Sequence, residues 1–255
     1  MDRDGTWGDG GRGDRWNDRL FNGGRRIRVR SRGSGTEAWA DLRIFVPAGK
    51  RVDVRLGLGE MTASNVSGDL RLDISSGRLN ANGIRGNLDM NTGSGSIEAR
   101  DIKGEDLRFN TGSGGITMNS VSGGRLHFNT GSGTVSGMTL TADDLTINTG
   151  SGGIRVDDVT AQRLKLETGS GGIQVGVRNS PKSMEVDTGS GGVTVTLPTR
   201  LDATVDIQTG SGGIDSEFAV QVNRIERNHL RGTIGDGTGR IHIESGSGTV
   251  RLRKA

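Results

Sequence analysis

The sequence contains no cysteine and no tyrosine, only three prolines, and aromatic residues at 3%. Without cysteine, disulfide staples and thiolate metal sites are excluded, and the redox compartment is left open. So few aromatics exclude a globular core filled by large rings. The hydrophobic share of 30% lies below that of ordinary soluble domains. No run approaches the roughly eighteen apolar residues of a membrane-spanning helix, and the first thirty residues hold no apolar stretch of the signal-peptide kind. The formal net charge is only +3; residues 1–32 carry nine arginines against five aspartates, or +4, which leaves −1 for the remainder. Basic character is therefore a property of the leader.

What the chain has in excess is glycine, 46 of 255 residues. With so few large side chains, burial has to come from small aliphatic residues in a thin, extended interior. That is the composition of a solenoid, and a fixed internal period supports it. Thr-Gly-Ser-Gly followed by a residue and then Ile or Val begins at Thr92, Thr111, Thr130, Thr149, Thr168, Thr188 and Thr209, at spacings of 19, 19, 19, 19, 20 and 21. Ser245 opens a degenerate copy, and Ser76-Gly77 and Leu58-Gly59 fit the same frame 18 residues apart.

Within one unit, Leu107-Arg108-Phe109-Asn110-Thr111 alternates apolar and polar, and Ile116-Thr117-Met118 alternates again after the glycine turn. Alternation with period two in short runs bounded by glycine predicts strands and no helix. Later units repeat the inward set as Leu126, Phe128, Val135 and Met138, then Leu145, Ile147, Ile154 and Val156. Consecutive hairpins would not need one constant register, whereas stacked coils do. The fold class expected is therefore all-β, a single-chain parallel β-helix with coils of about 18–21 residues. Thr111 shares a face with Leu107 and Phe109, so stacked threonines are expected to bond one another between coils. Asn91, Asn110, Asn129 and Asn148, continued by Glu167, Asp187 and Gln208, form the neighbouring solvent-facing column.

Four segments follow. Residues 1–35 read as a disordered leader rich in Gly, Asp and Arg. Residues 36–60, with apolar positions at Ala40, Leu42, Ile44, Val46, Val52, Val54 and Leu56, read as the strands that begin the solenoid. Regular coils occupy 61–217, an irregular charged excursion 218–230, and closing coils 231–255.

Several residues offer candidate chemistry. His127 alternates outward between Leu126 and Phe128, and with His229 and His242 it makes no metal-ligand spacing. The pairs Asp143-Asp144 and Asp157-Asp158 raise calcium, yet the nonapeptide pattern of calcium β-rolls is absent. Arg12-Gly13-Asp14 is what chance expects in such a leader. Gly-Ser-Gly-Gly turns lack the lysine of a phosphate loop and read as corners. The arginines from Arg25 to Arg32 form a basic tail that could meet an anionic surface by charge alone. Asp73, Asp89, Glu167 and Asp187 are spread along the stack, not gathered as a glycosidase requires. No catalytic, cofactor-binding or metal-ligating residue is assigned, and no cofactor is expected.

The run Val46-Pro47-Ala48-Gly49, the recurring Thr-Gly-Ser-Gly-Gly-Ile, and the ending Leu230-Arg231-Gly232-Thr233-Ile234-Gly235-Asp236-Gly237 through Ile243-Glu244-Ser245-Gly246-Ser247-Gly248 resemble the bacterial adhesin-type family of β-strand repeats, a domain of unknown function, over residues 36–255. The resemblance implies a right-handed β-helix and association with the bacterial cell envelope; it brings no catalytic residues. The expected function is a non-enzymatic, envelope-associated binding module for a surface glycan or protein, with no nucleic acid as partner and membrane contact only through an anchor outside this chain. The alternatives are a scaffold that self-associates end to end and, behind it, a carbohydrate-active β-helix enzyme.

Overall fold

The computed structural model describes residues 41–255, so the expected leader, with Arg12-Gly13-Asp14 and the arginines to Arg32, lies outside the described residues. The unit Val46–Ala255 carries every described strand and no helix. Through Leu197 each repeat pairs in parallel with the one after it, which builds the expected β-solenoid, about 8 turns tall. The stack begins with β1 (Val52–Ser64), β2 (Leu70–Arg85) and β3 (Leu88–Ser94). It continues through four long strands, β4 (Ile97–Thr111), β5 (Ile116–Thr130), β6 (Val135–Thr149) and β7 (Ile154–Thr168). Register is exact between these, Phe109 facing Phe128 and Phe128 facing Ile147.

The alternation is realised as written: Leu107, Phe109, Ile116, Met118 and Val121 are buried, while Arg108, Thr117 and Asn119 face out. The two rings sit 5.1 Å apart between centroids, and the core continues as single-file aliphatic columns. One inward expectation is corrected. Met138 is 54% exposed, because Gly137 is the residue in register with Met118 and Val156. Val135-Ser-Gly-Met thus places glycine, not methionine, in the apolar column.

Six successive coils also turn at a residue the repeat does not advertise. Asn65, Asp101, Ser120, Thr139 and Asp158 have φ between 50° and 58°, and Gly83 has φ 67°. These positions stack as one left-handed corner, filled mainly by the short polar residues that tolerate that conformation by bonding locally.

The threonine ladder bonds differently from the expectation. Thr168 donates its hydroxyl to the Gly152 carbonyl of the preceding coil (2.8 Å) and accepts from the Gly171 N–H of its own turn (3.1 Å). The same pair of bonds recurs at Thr111, Thr130, Thr149 and Thr188. Hydroxyls therefore meet backbone, not one another. Buried polar groups need partners, and the backbone groups at the turn offer both a donor and an acceptor.

The end of the chain overturns the expected order. Beyond β8 (Ile173–Val177), β9 (Ser183–Thr188) and β10 (Val193–Leu197) come β11 (Ala203–Thr209) and β12 (Ile214–Ser216). The excursion expected at 218–230 is largely regular. It forms β13 (Gln221–Glu226), which makes an antiparallel hairpin with β14 (His229–Ile234). The final strands, β15 (Gly239–Ser245) and β16 (Val250–Lys254), do not close the stack. β15 lies between β9 and β11, and β16 between β10 and β12. The reason is edge availability: β14 occupies one edge of β11, so the returning chain takes the edge that faces β9. The hydroxyl bonds trace the same order, Ser245 onto Gly191 and Thr209 onto Gly248.

The beginning is corrected as well. No strand precedes Val52 within residues 41–51, and Leu42 and Ile44 are exposed. Pro47 has no N–H for a ladder, and Gly49 turns the chain at φ 73°.

Candidate ligand-binding faces

Stacking turns each outward position into a column, and two columns run beside the threonine ladder. The first begins at Asp73 and passes through Asn91, Asn110, Asn129 and Asn148 to Glu167 and Asp187. Because of the inserted coil it continues to Glu244 and only then to Gln208. Amides satisfy one another along it, Asn110 Nδ2 donating to Asn91 Oδ1 at 2.9 Å and Asn91 Nδ2 to Asp73 at 2.8 Å. The second column runs Arg108, His127, Thr146, Lys165, Glu185, His242, Asp206 and Arg231.

These columns bring together residues far apart in sequence. His229 Nε2 lies 2.9 Å from Asp206 Oδ1, and Asp206 is in register with His242. Burial pushes the Asp206 carboxyl up, but the bonds with His229 and Gln208 outweigh it and hold the group below its ordinary range. Desolvation, followed by Arg108, lowers His127. Lys165 bridges Glu167 (2.7 Å) and Glu185 (3.4 Å). The Asp pairs weighed for calcium instead meet Arg163, at Asp144, and Arg178, at Asp158. Among the described residues no three His, Cys, Asp or Glu side chains are placed to hold one metal ion.

Glu167, Asp187 and Glu244 stack like charges on successive coils. Burial, then Glu244, Glu167 and Glu185, raise the Asp187 carboxyl. A carboxyl raised in the folded state penalises folding above its folded pKa, and the penalty fades as pH falls through that value toward the unfolded one. Asp187→Asn is therefore expected to melt higher than the parent at pH 7. The two melting curves should converge near pH 3.5, below the unfolded value of about 3.9. A constant difference at both pH values would contradict it.

The opposite side of the turn carries a groove. Ile97–Arg100 and its equivalents in the next four coils present Glu98, Thr117, Ser136, Arg155 and Gln174 in one column and Arg100, Asn119, Met138 and Asp157 in another, which ends where the register shifts after Val156. Together they line an open depression of about 610 Å³. Gly137 lines it where the inward column lacks a side chain, a gap that Met118, Leu140 and Val156 close from the core side, and Met138 is the exposed apolar group beside it. Thr117 and Ser136 hydroxyls are 3.3 Å apart, Arg155 donates to Gln174 at 3.3 Å, and Arg100 pairs with Glu98. No aromatic ring lines the groove. Arg100, Arg155 and Gln174 do not stand out in the sequence. The signal was available in the outward positions after each glycine turn, but nothing local distinguishes them from an ordinary solvated face.

Fold and faces define a class: a single-chain parallel β-solenoid whose outward side chains form continuous polar columns. Residues 41–253 match the Toastrack DUF4097 family, and the chain belongs to it. No curated protein and no solved structure matches the chain.

Proposed function

We propose that the chain is a non-enzymatic binding module of the cell envelope, and that its ligand is an extended surface glycan lying along the groove. The observation that carries this reading is the repetition itself. Five successive coils place hydrogen-bonding side chains on one open face, at the spacing of about 4.8 Å between neighbouring strands, so a polymer with a regular polar repeat meets the same contacts again and again. Each contact is shallow and solvated, and binding strength comes from their number. The groove's carboxylates do not converge on one point: Glu98 pairs with Arg100, and Asp157 accepts the Asp158 N–H.

The test uses the full chain, labelled and applied to arrayed bacterial surface polysaccharides, beside the double variant Arg155→Ala/Gln174→Ala. Binding to at least one polysaccharide is expected, weakened about tenfold or more in the variant because two polar contacts worth about 1 kcal/mol each are removed. Absence of polysaccharide binding, or binding indifferent to the variant, contradicts the reading.

A further inference from the structure

The two ends of the stack are built differently. At one end the outermost strand, β13, is six residues long, shifts register between Val222 and Arg224, and pairs Arg224 with Glu226. Irregularity and charge are what blunt a sheet edge against further pairing. At the other end β1 is thirteen residues long and aligns with β2 on both sides of its corner. Among the described residues no strand pairs the second edge of β1. Leu58 is 74% and Leu56 37% exposed, and Val52, Val54, Met61 and Ala63, which top the core columns, are only partly covered.

We propose that this edge of β1 is the interface of a closed dimer, its occupant a second copy of this chain. The corner near Gly57 and Leu58 divides β1 into two arms of equal length, residues 52–56 and 60–64. The core-facing residues are even-numbered in the first arm (Val52, Val54) and odd-numbered in the second (Met61, Ala63). A two-fold axis passing between Gly57 and Leu58 runs the two copies antiparallel and lays each first arm on the second arm of the other copy. Val54 then faces Met61, Val52 faces Ala63, and on the solvent side Arg55 faces Glu60. A slip of one residue would set apolar positions against polar ones on both arms. A slip of two either opposes Asp53 to Glu60 or removes Arg55 from any carboxylate. Core parity and charge thus select one register. The contact is isologous and closes at two copies, and the blunted far end offers no second interface for a filament.

Sedimentation velocity of the full chain over rising concentration, with Arg55→Glu, Glu60→Arg and the double swap Arg55→Glu/Glu60→Arg, tests the dimer. Both residues are at exposed positions, and unchanged far-UV circular dichroism checks the fold. The parent is expected to dimerise. Each single variant, which opposes like charges twice in the dimer, should associate about tenfold or more weakly, and the double swap should restore association. A strict monomer, as when upstream residues of the same chain cover the edge, overturns the proposal. So do open-ended filaments, and so does a dimer unaffected by the single variants.

Discussion

Phe109→Asp is expected to abolish cooperative folding at room temperature. The ring is fully buried against Phe128, and deleting such a side chain costs about 3–5 kcal/mol from lost transfer and the cavity left behind. An ionised carboxylate in its place has no cation within the dry column, and an unpaired buried charge adds several kcal/mol more. The sum rivals the whole stability of a typical domain, about 5–15 kcal/mol. In a solenoid each coil is held by its neighbours, so the coils above and below Phe109 lose a supporting surface together. Phe109→Leu is the matched control: Leu166 fills the same column fully buried, and an apolar side chain that fills most of the ring's space costs less than the about 3–5 kcal/mol of truncation to alanine and introduces no charge. Urea unfolding followed by circular dichroism separates the two, and a Phe109→Asp midpoint close to the parent's would show that the column is not the core.

Gly171→Ala and Gly172→Ala, one residue apart, are expected to differ by about 3 kcal/mol or more. A Cβ on Gly171 would lie 2.0 Å from the Gly152 carbonyl oxygen of the neighbouring coil, an overlap that only separation of the two coils relieves. That carbonyl accepts the Thr168 hydroxyl, the same hydroxyl accepts the Gly171 N–H, and the Gly171 carbonyl accepts Thr188. Displacing Gly171 therefore strains packing, worth about 1–3 kcal/mol, and loosens buried hydrogen bonds, worth about 1–3 kcal/mol when a group loses its partner. A Cβ on Gly172 meets only the Gly192 carbonyl at 3.4 Å. The equivalent position already carries Ser96, Thr134 and Thr249 in other coils. Its change should stay within about 0.5 kcal/mol. Equal losses at the two sites would mean that close approach does not explain the second glycine of the repeat.

The contrast shows why part of the molecule was legible from residues alone. Alternation in Leu107-Arg108-Phe109 and the constant frame of Thr-Gly-Ser-Gly are local, and the backbone geometry of a strand converts them directly into inward and outward faces. Met138 reads as inward in the sequence because it is the larger side chain of its segment; the parallel register with Met118 and Val156 assigns the column to Gly137. The left-handed corner was missed because Asn65, Asp101, Ser120, Thr139 and Asp158 share a backbone conformation and no single residue type. The groove was missed because its residues become a surface only when five coils stack.

The sequence by itself determined the coil, its period, most of its buried columns and, among the described residues, the absence of helix, since these follow from spacing and side-chain size within some twenty residues. Tertiary structure alone decided where the last coil goes. β15 carries the same alternation as its neighbours and would fit many edges; it enters between β9 and β11 because the β13–β14 hairpin has already taken the outer edge of β11. That choice places Glu244 between Asp187 and Gln208 and His242 beside Asp206, so the charge pattern of one face is set by which edge was free, a property of the assembled stack and of no segment within it.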